Sequence, residues 1–274
     1  MIVSASSSAP LAARFRALHG KDHLLVLPNA WDVASARLIE VSGAEAIATT
    51  SAALAWSLGY MDGEELPLDL LVATVATITR RVAIPVTVDF VLGYSDKPDL
   101  VAAAVLRLID AGAVGVNLED GDAPPELLAQ KIRAVRKAVA ARGADVFINA
   151  RIDVYLRGLV PPAEAVAETV RRARIYAEAG CDGLFAAKVT SPDDIKAIVR
   201  ETDLPLNVML VPGIAPIADL RSWGVRRLSA GPGLAEVAYG AARRACNELL
   251  QQGSYAGVYA GEVTYPEMNG LFQR

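Results

Sequence analysis

The chain has 274 residues, 53% of them hydrophobic and 21% charged, and carries a formal net charge of −4. That balance belongs to a compact globular protein rather than a disordered one, and its acidity gives no electrostatic reason to expect nucleic acid. Cys181 and Cys246, with no CxxC pair and only two histidines, exclude a zinc ribbon and a disulfide framework.

The opening MIVSASSS lacks the basic start and long apolar core of a secretory signal, and no run of about 18 apolar residues occurs. The sequence therefore predicts a cytoplasmic protein with no membrane span. A helix is expected at 11–18, stopping near Gly20. Strands are then expected at 24–27, 46–50, 85–90, 115–119, 145–150, 183–187, 205–210 and 226–230. Helical stretches lie between them, among them 33–41, 100–111, 126–141, 163–179 and 234–250. Gly112, Gly143 and Gly180 stand where C-caps belong. Eight strand–helix units in about 250 residues predict a (β/α)8 TIM-type barrel, with an extra N-terminal helix and a C-terminal helical extension. No linker, repeat or break in composition divides it, so residues 1–274 are read as a single domain. A doubly wound sheet is the rival, weakened because no GxGxxG follows the first strand.

In such a barrel chemistry collects where strands run into the following loops. The polar residues there are Asn29, Trp31 and Asp32, then 49–53, Asp89, Glu119 and Asp120, Asn149, Arg151 and Asp153, Asn207, and Ser229 ahead of Gly231-Pro232-Gly233. Asp89 and Glu119, on adjacent strands, fit a hard divalent cation such as Mg²⁺, with Mn²⁺ as an alternative. Arg151 suits a substrate carboxylate gripped bidentately. The Thr50-Ser51-Ala52 turn offers backbone N–H groups to an anionic oxygen. Structural readings stand beside these. Asp120 and Asp153 serve equally as helix caps or arginine partners, Asp32 as the cap of 33–41, and Trp31 as a packing residue. The Gly-Pro-Gly turn either binds phosphate or simply starts a helix.

The segments LPNAWDVASARLIEVSGAEAIATTS, SLGYMDGE, PVTVDF, VGVNLED and INARIDVY occur in that order between Leu27 and Tyr155. Together they resemble the isocitrate lyase/phosphoenolpyruvate mutase superfamily. The resemblance implies a homo-oligomeric (β/α)8 enzyme, a dimer or tetramer, that makes or breaks C–C or P–C bonds beside a 2-oxo acid through an enolate. It implies Asp89 as the direct metal ligand, Glu119 and Asp62 as holders of metal-bound water, and Arg151 as the substrate grip. It also implies Thr50, Ser51 and Ala52 as backbone donors and Asn207 as a pocket residue. Trp31 is the further substrate-binding candidate, and Asp62 and Arg151 are the catalytic candidates.

Three departures matter. Val91 stands where the superfamily usually has a second acid. Gly121–Glu126 has neither the cysteine of the KKCGH loop nor the lysine–asparagine pair of the phosphonate-processing members. Apart from these three, Lys188 stands where histidine or glutamate often occurs, as a newcomer to the pocket or a solvated lysine. The leading expectation is therefore a Mg²⁺-dependent carbon–carbon lyase or decarboxylase acting on a small 2-oxo or 2-hydroxy acid. A C–P bond-processing enzyme, or a barrel that binds 2-oxo acids with little turnover, is the alternative. The aromatic tail from Ser254 to Phe272 either packs on a neighbouring copy or folds back on its own barrel.

Overall fold

The computed structural model describes residues 5–20, 22–63, 66–261 and 263–273. Residues 1–4 of the opening segment and Glu64 of SLGYMDGE lie outside the described residues. The first described element is helix α1 (Ala5–Ala17), which starts six residues before the expected 11–18 helix, ends one residue earlier and carries Pro10 within it. Strands β1 (Leu25–Leu27) and β2 (Asn29–Ala30) precede α2 (Val33–Val41), and β3 (Ile47–Thr49) precedes α3 (Ser51–Ser57) and α4 (Leu68–Thr79). The pattern continues with β4 (Val86–Asp89), α5 (Pro98–Asp110), β5 (Gly115–Glu119), α6 (Pro125–Ala141) and β6 (Phe147–Ile152). The short α7 (Val154–Arg157) and α8 (Ala165–Ala179) lead to β7 (Gly183–Ala186), α9 (Pro192–Glu201) and β8 (Leu206–Met209). Helix α10 (Ile217–Ser222), β9 (Arg227–Ser229), α11 (Gly233–Asn247) and α12 (Tyr265–Gly270) complete the chain.

All neighbouring strands pair in parallel, in the order β1-β9-β8-β7-β6-β5-β4-β3-β2. The first two segments are one strand line interrupted at Pro28, which has no N–H to give to a ladder. The first half pairs with β9 and the second with β3, so this line closes the barrel. Asn29 staples the closure. Its Nδ2 donates to the Thr49 carbonyl at 2.7 Å, and its Oδ1 accepts from the Ala230 and Gly231 amides at 2.9 Å each. These contacts fix the Ala230–Gly231 approach to the Gly-Pro-Gly turn, and α11 starts at Gly233.

Alternation along each strand sorts the residues. Val88, Val116, Leu118, Ile148, Val208 and Leu228 face the helices in the main apolar layer. Their neighbours point into the barrel. At its lower end Phe15 from α1 plugs the interior against Leu25, Leu27, Ala48 and Phe147. Phe15 and Phe147 meet edge-to-face at 5.5 Å, and the His19 ring stacks on Phe147 at 4.2 Å. Gly115 is required beside this plug, because a Cβ there would stand 2.7 Å from Thr87 Oγ1 and 3.0 Å from Phe15 Cε1.

The tail folds back on its own barrel: Arg37 Nε of α2 donates to the Leu271 carbonyl at 2.9 Å. Tyr255, Tyr259 and Tyr265 remain exposed. No helix among the described residues is long and apolar enough to cross a membrane. Phe15 is fully buried, so Phe15→Ala is expected to lower the unfolding free energy by about 3–5 kcal/mol. Urea unfolding followed by circular dichroism measures this, and a loss below 1 kcal/mol would show that the plug does not hold the barrel.

Candidate active site

Asp89 closes β4 at the barrel mouth, where the pleat turns it inward between Val88 and Phe90, both fully buried. Its N–H donates to Thr49 Oγ1 at 3.0 Å, and its Oδ2 accepts from the Ser51 amide at 3.3 Å. Its Oδ1 is buried and has no hydrogen-bond partner among the described residues. Ser51, Met61, Asp62, Val91 and Tyr94 line a cleft over this carboxylate, with about 10 Å³ of space, room for about one water.

The loop that follows is bent. Val91 has φ +43° and Tyr94 φ +62°, values that side-chain-bearing residues seldom adopt and β-branched ones adopt least. Hydrogen bonds hold it there. The Val91 carbonyl accepts from the Glu119 amide at 3.0 Å, and the buried Lys131 Nζ donates to the Leu92 carbonyl at 2.7 Å. Val91 therefore presents an apolar wall to the cleft at the position of the missing second acid.

Beside Asp89, the β5–β6 register sets Glu119 opposite Arg151. Glu119 Oε2 lies 2.5 Å from Arg151 Nη1, while Arg151 Nε and Nη2 reach both oxygens of Asp153 at 2.7 and 3.1 Å. Arg157 Nε adds to Asp153 Oδ2 at 3.2 Å. Burial pushes the Glu119 carboxyl up to about 8, against the pull of Arg151, and the charge of Asp89 adds to the rise. The Asp153 amide donates to Asp120 Oδ1 at 2.9 Å. Asp120 Oδ2 accepts from Arg172 Nη1 at 2.9 Å and the Tyr176 hydroxyl at 2.7 Å. Asp120 is thus a buried arginine and tyrosine partner that ties β5 and β6 to α8.

Beneath the mouth the barrel interior is polar. Asn117 Oδ1 accepts from Asn149 Nδ2 at 3.0 Å and from Arg227 Nη2 at 3.2 Å. Arg227 is sealed in, with Nε and Nη1 unpartnered among the described residues. Burial pushes its guanidinium down to about 9, against the pull of Asp89. Asn207 lies in this interior, fully buried, and its Oδ1 accepts from Ser229 Oγ at 3.3 Å.

The structure brings Ser51, Asp62 and Asp89 together at one cleft, with Glu119 and Arg151 on the adjoining strands. It sets other candidates apart. Trp31 does not line this cleft; its ring lies 6.2 Å from that of Tyr239 on α11, so it packs. Asp32 caps α2 in a reciprocal box with Ser35. Thr50 and Ala52 are buried at the start of α3, and the Ser51 amide of that turn is already given to Asp89. Arg151 is not a free grip, since two acids hold it. Lys188 is exposed with φ +68°. Residues 120–124 are all that separate β5 from α6. Sequence reasoning missed Arg157 and Arg227. The alternation of Arg227-Leu228-Ser229 was the available signal for the second, and nothing local pointed to the first.

The donor set accommodates Mg²⁺, which binds through one or two carboxylates and keeps several waters. The orphaned Asp89 Oδ1 is the group that would ligate the ion directly, with Asp62 lining the same cleft and Glu119 on the adjoining strand. No cage of three or more His, Cys, Asp or Glu side chains occurs among the described residues.

A parallel barrel with paired acids and a buried arginine at its C-terminal mouth defines the class of protein. The family model for phosphoenolpyruvate phosphomutase matches residues 15–250. The chain belongs to this family, within the isocitrate lyase/phosphoenolpyruvate mutase superfamily. It is 38% identical over 221 residues to an uncharacterized protein of Mycobacterium tuberculosis H37Rv, covering 79% of this chain and 81% of that one. It is 33% identical over 200 residues to 2-methylisocitrate lyase of Aeropyrum pernix, covering 70% and 63% of the two chains. A solved structure from Burkholderia cenocepacia J2315, described as a candidate phosphonomutase, is 39% identical with a TM-score of 0.82, covering 85% and 98%.

Removing Asp120 strands the buried Arg172 and Tyr176 without their acceptor. Asp120→Ala is therefore expected to cost about 3–5 kcal/mol in denaturant unfolding. Glu119 gives a pH signature. Its carboxyl is raised from 4.5 to about 8 in the fold, so its contribution is fully present below pH 4.5 and is lost as pH rises through 8. Chelator-treated wild type should lose stability relative to Glu119→Gln as pH climbs from 5 to 8, read by urea unfolding. A flat difference would show that Arg151 keeps the carboxylate ionised throughout.

Proposed function

We propose that the protein is a Mg²⁺-dependent carbon–carbon lyase or decarboxylase acting on a small 2-oxo or 2-hydroxy acid through an enolate. The observation that carries this reading is the buried, unpartnered Asp89 Oδ1 at the barrel mouth, next to Glu119 and Arg151. When bound, Mg²⁺ supplies a Lewis acid for the 2-oxo group and offsets the charge of the acids.

The protein's own groups do the rest. Asp153 holds the Arg151 guanidinium by two hydrogen bonds, which orients its Nη1 edge toward Glu119 and the cleft. A substrate carboxylate meets that edge by displacing Glu119, a carboxyl that burial already disposes to hold a proton. The Ser51 amide, donated to Asp89 Oδ2, steadies that carboxylate from the other side. Binding also displaces Met61 or Asp62 outward, since the cleft as it stands has room for about one water.

No thiol serves as acid at the mouth. Cys181 is buried at the start of β7, on the opposite rim, and Cys246 is exposed on α11. The short 120–124 connection carries no lysine either. Proton delivery to the new carbanion then falls to water, which decarboxylation and retro-aldol cleavage tolerate better than phosphoryl migration does.

The resemblance to the Burkholderia candidate phosphonomutase supports the second reading, a C–P bond-processing enzyme. The apolar wall at Val91 and the narrow cleft support the third, a barrel that binds 2-oxo acids with little turnover.

Oxaloacetate turnover with Mg²⁺ tests the first. Activity should vanish with EDTA and fall about 10²–10³-fold in Asp89→Ala, the scale of losing one electrostatic stabiliser. Phosphate release from phosphonopyruvate, without oxaloacetate turnover, would favour the second reading. Binding of 2-oxo acids without turnover of either would favour the third.

A further inference from the structure

Arg151 and Arg157 share one carboxylate but not equally. Asp153, with a fully buried side chain, holds Arg151 through both oxygens and Arg157 through Oδ2 alone. Arg151 has a second acid in Glu119, and its side chain is 15% exposed. The Arg157 side chain is 41% exposed, and its Nη1 and Nη2 have no hydrogen-bond or ion-pair partner among the described residues. A guanidinium carries five N–H donors in a planar fork, so most of this fork is unused.

The place of that fork is set by the turn beside it. Gly121 has φ +58°, and a Cβ on it would stand 3.7 Å from Arg157 Nη2, so the guanidinium lies against the Asp120–Gly121 turn. It is also near enough to Glu119 to pull that carboxyl downward. Arg157 thus stands at the rim of the acid–arginine mouth, one step further out than Arg151. Both are tied to the oxygens of one buried carboxylate, which holds the two guanidinium groups close together.

We propose that Arg157 binds a second, distal carboxylate of the substrate, so that the site selects short dicarboxylates over monocarboxylates; this rests on the 2-oxo or 2-hydroxy acid reading above. Arg151 takes the carboxylate adjoining the 2-oxo or 2-hydroxy carbon, and Arg157 takes the one at the far end. The rival explanation is an i,i+4 ion pair that merely steadies α7. That role adds little to stability and leaves selectivity untouched.

Two pairs of ligands that differ by the distal carboxylate provide the test: oxaloacetate against pyruvate in turnover and inhibition, and malate against lactate by calorimetry with Mg²⁺. In Arg157→Met, KM for oxaloacetate and Kd for malate should rise about 10- to 100-fold, the scale of a charged hydrogen-bonded contact. The kcat, pyruvate inhibition and lactate affinity should stay within about twofold. Arg157→Lys, which keeps the charge but loses the fork, should fall between.

Equal losses for mono- and dicarboxylates, no loss, or a larger loss in Lys188→Met than in Arg157→Met would overturn the proposal. Failure of wild type to turn over oxaloacetate would sink the lyase reading alone, because the malate–lactate comparison needs no turnover. Wild type that binds neither malate nor lactate would overturn both.

Discussion

Two buried acids, Asp120 and Asp153, form the junction on which the mouth of this barrel depends. The Asp153 amide donates to the Asp120 carboxylate, and the two side chains then collect Arg151, Arg157, Arg172 and Tyr176 from β6, α7 and α8. Carboxylates out of water are tolerated only when paired and hydrogen-bonded, and here nearly every lone-pair direction is used. One consequence is mechanical: the end of β5 cannot shift without disturbing α8. The other is chemical. Arg151 is delivered to the mouth at a set orientation, with its Nη1 against Glu119.

Below this junction the barrel departs from the usual packing of branched aliphatic side chains. Asn117, Asn149, Asn207, Arg227 and Ser229 fill an inward layer between the aromatic plug and the acids. Arg227 places a positive charge beneath Asp89, its guanidinium making one hydrogen bond among the described residues. The interior is therefore an electrostatic floor as well as a packed core, and the charge at Asp89 is felt through it.

Much of the fold was legible. Strand–helix alternation and glycine stops gave eight units, because a parallel barrel repeats a local pattern. Asp89, Glu119 and Arg151 were legible for the same reason, as charged residues at the C-terminal ends of apolar strands. The interruption at Pro28 was not anticipated, although proline's missing N–H is a local fact, because its effect depends on having a different strand on each side. Trp31 illustrates the limit from the other direction: its rim position was read correctly, but its ring turns toward Tyr239, a neighbour some two hundred residues away.

The sequence by itself determined where secondary structure alternates, which residues end each strand, and which superfamily motifs recur. All of these depend on spacing along the chain. Only the tertiary structure decided which charge each group answers to: that Arg151 is shared between Glu119 and Asp153, that Asp120 belongs to α8, and that Arg157 keeps an open fork beside Gly121. The reason is that ion pairing and desolvation depend on distance through space, and the partners stand on different strands and helices brought together by the closed barrel.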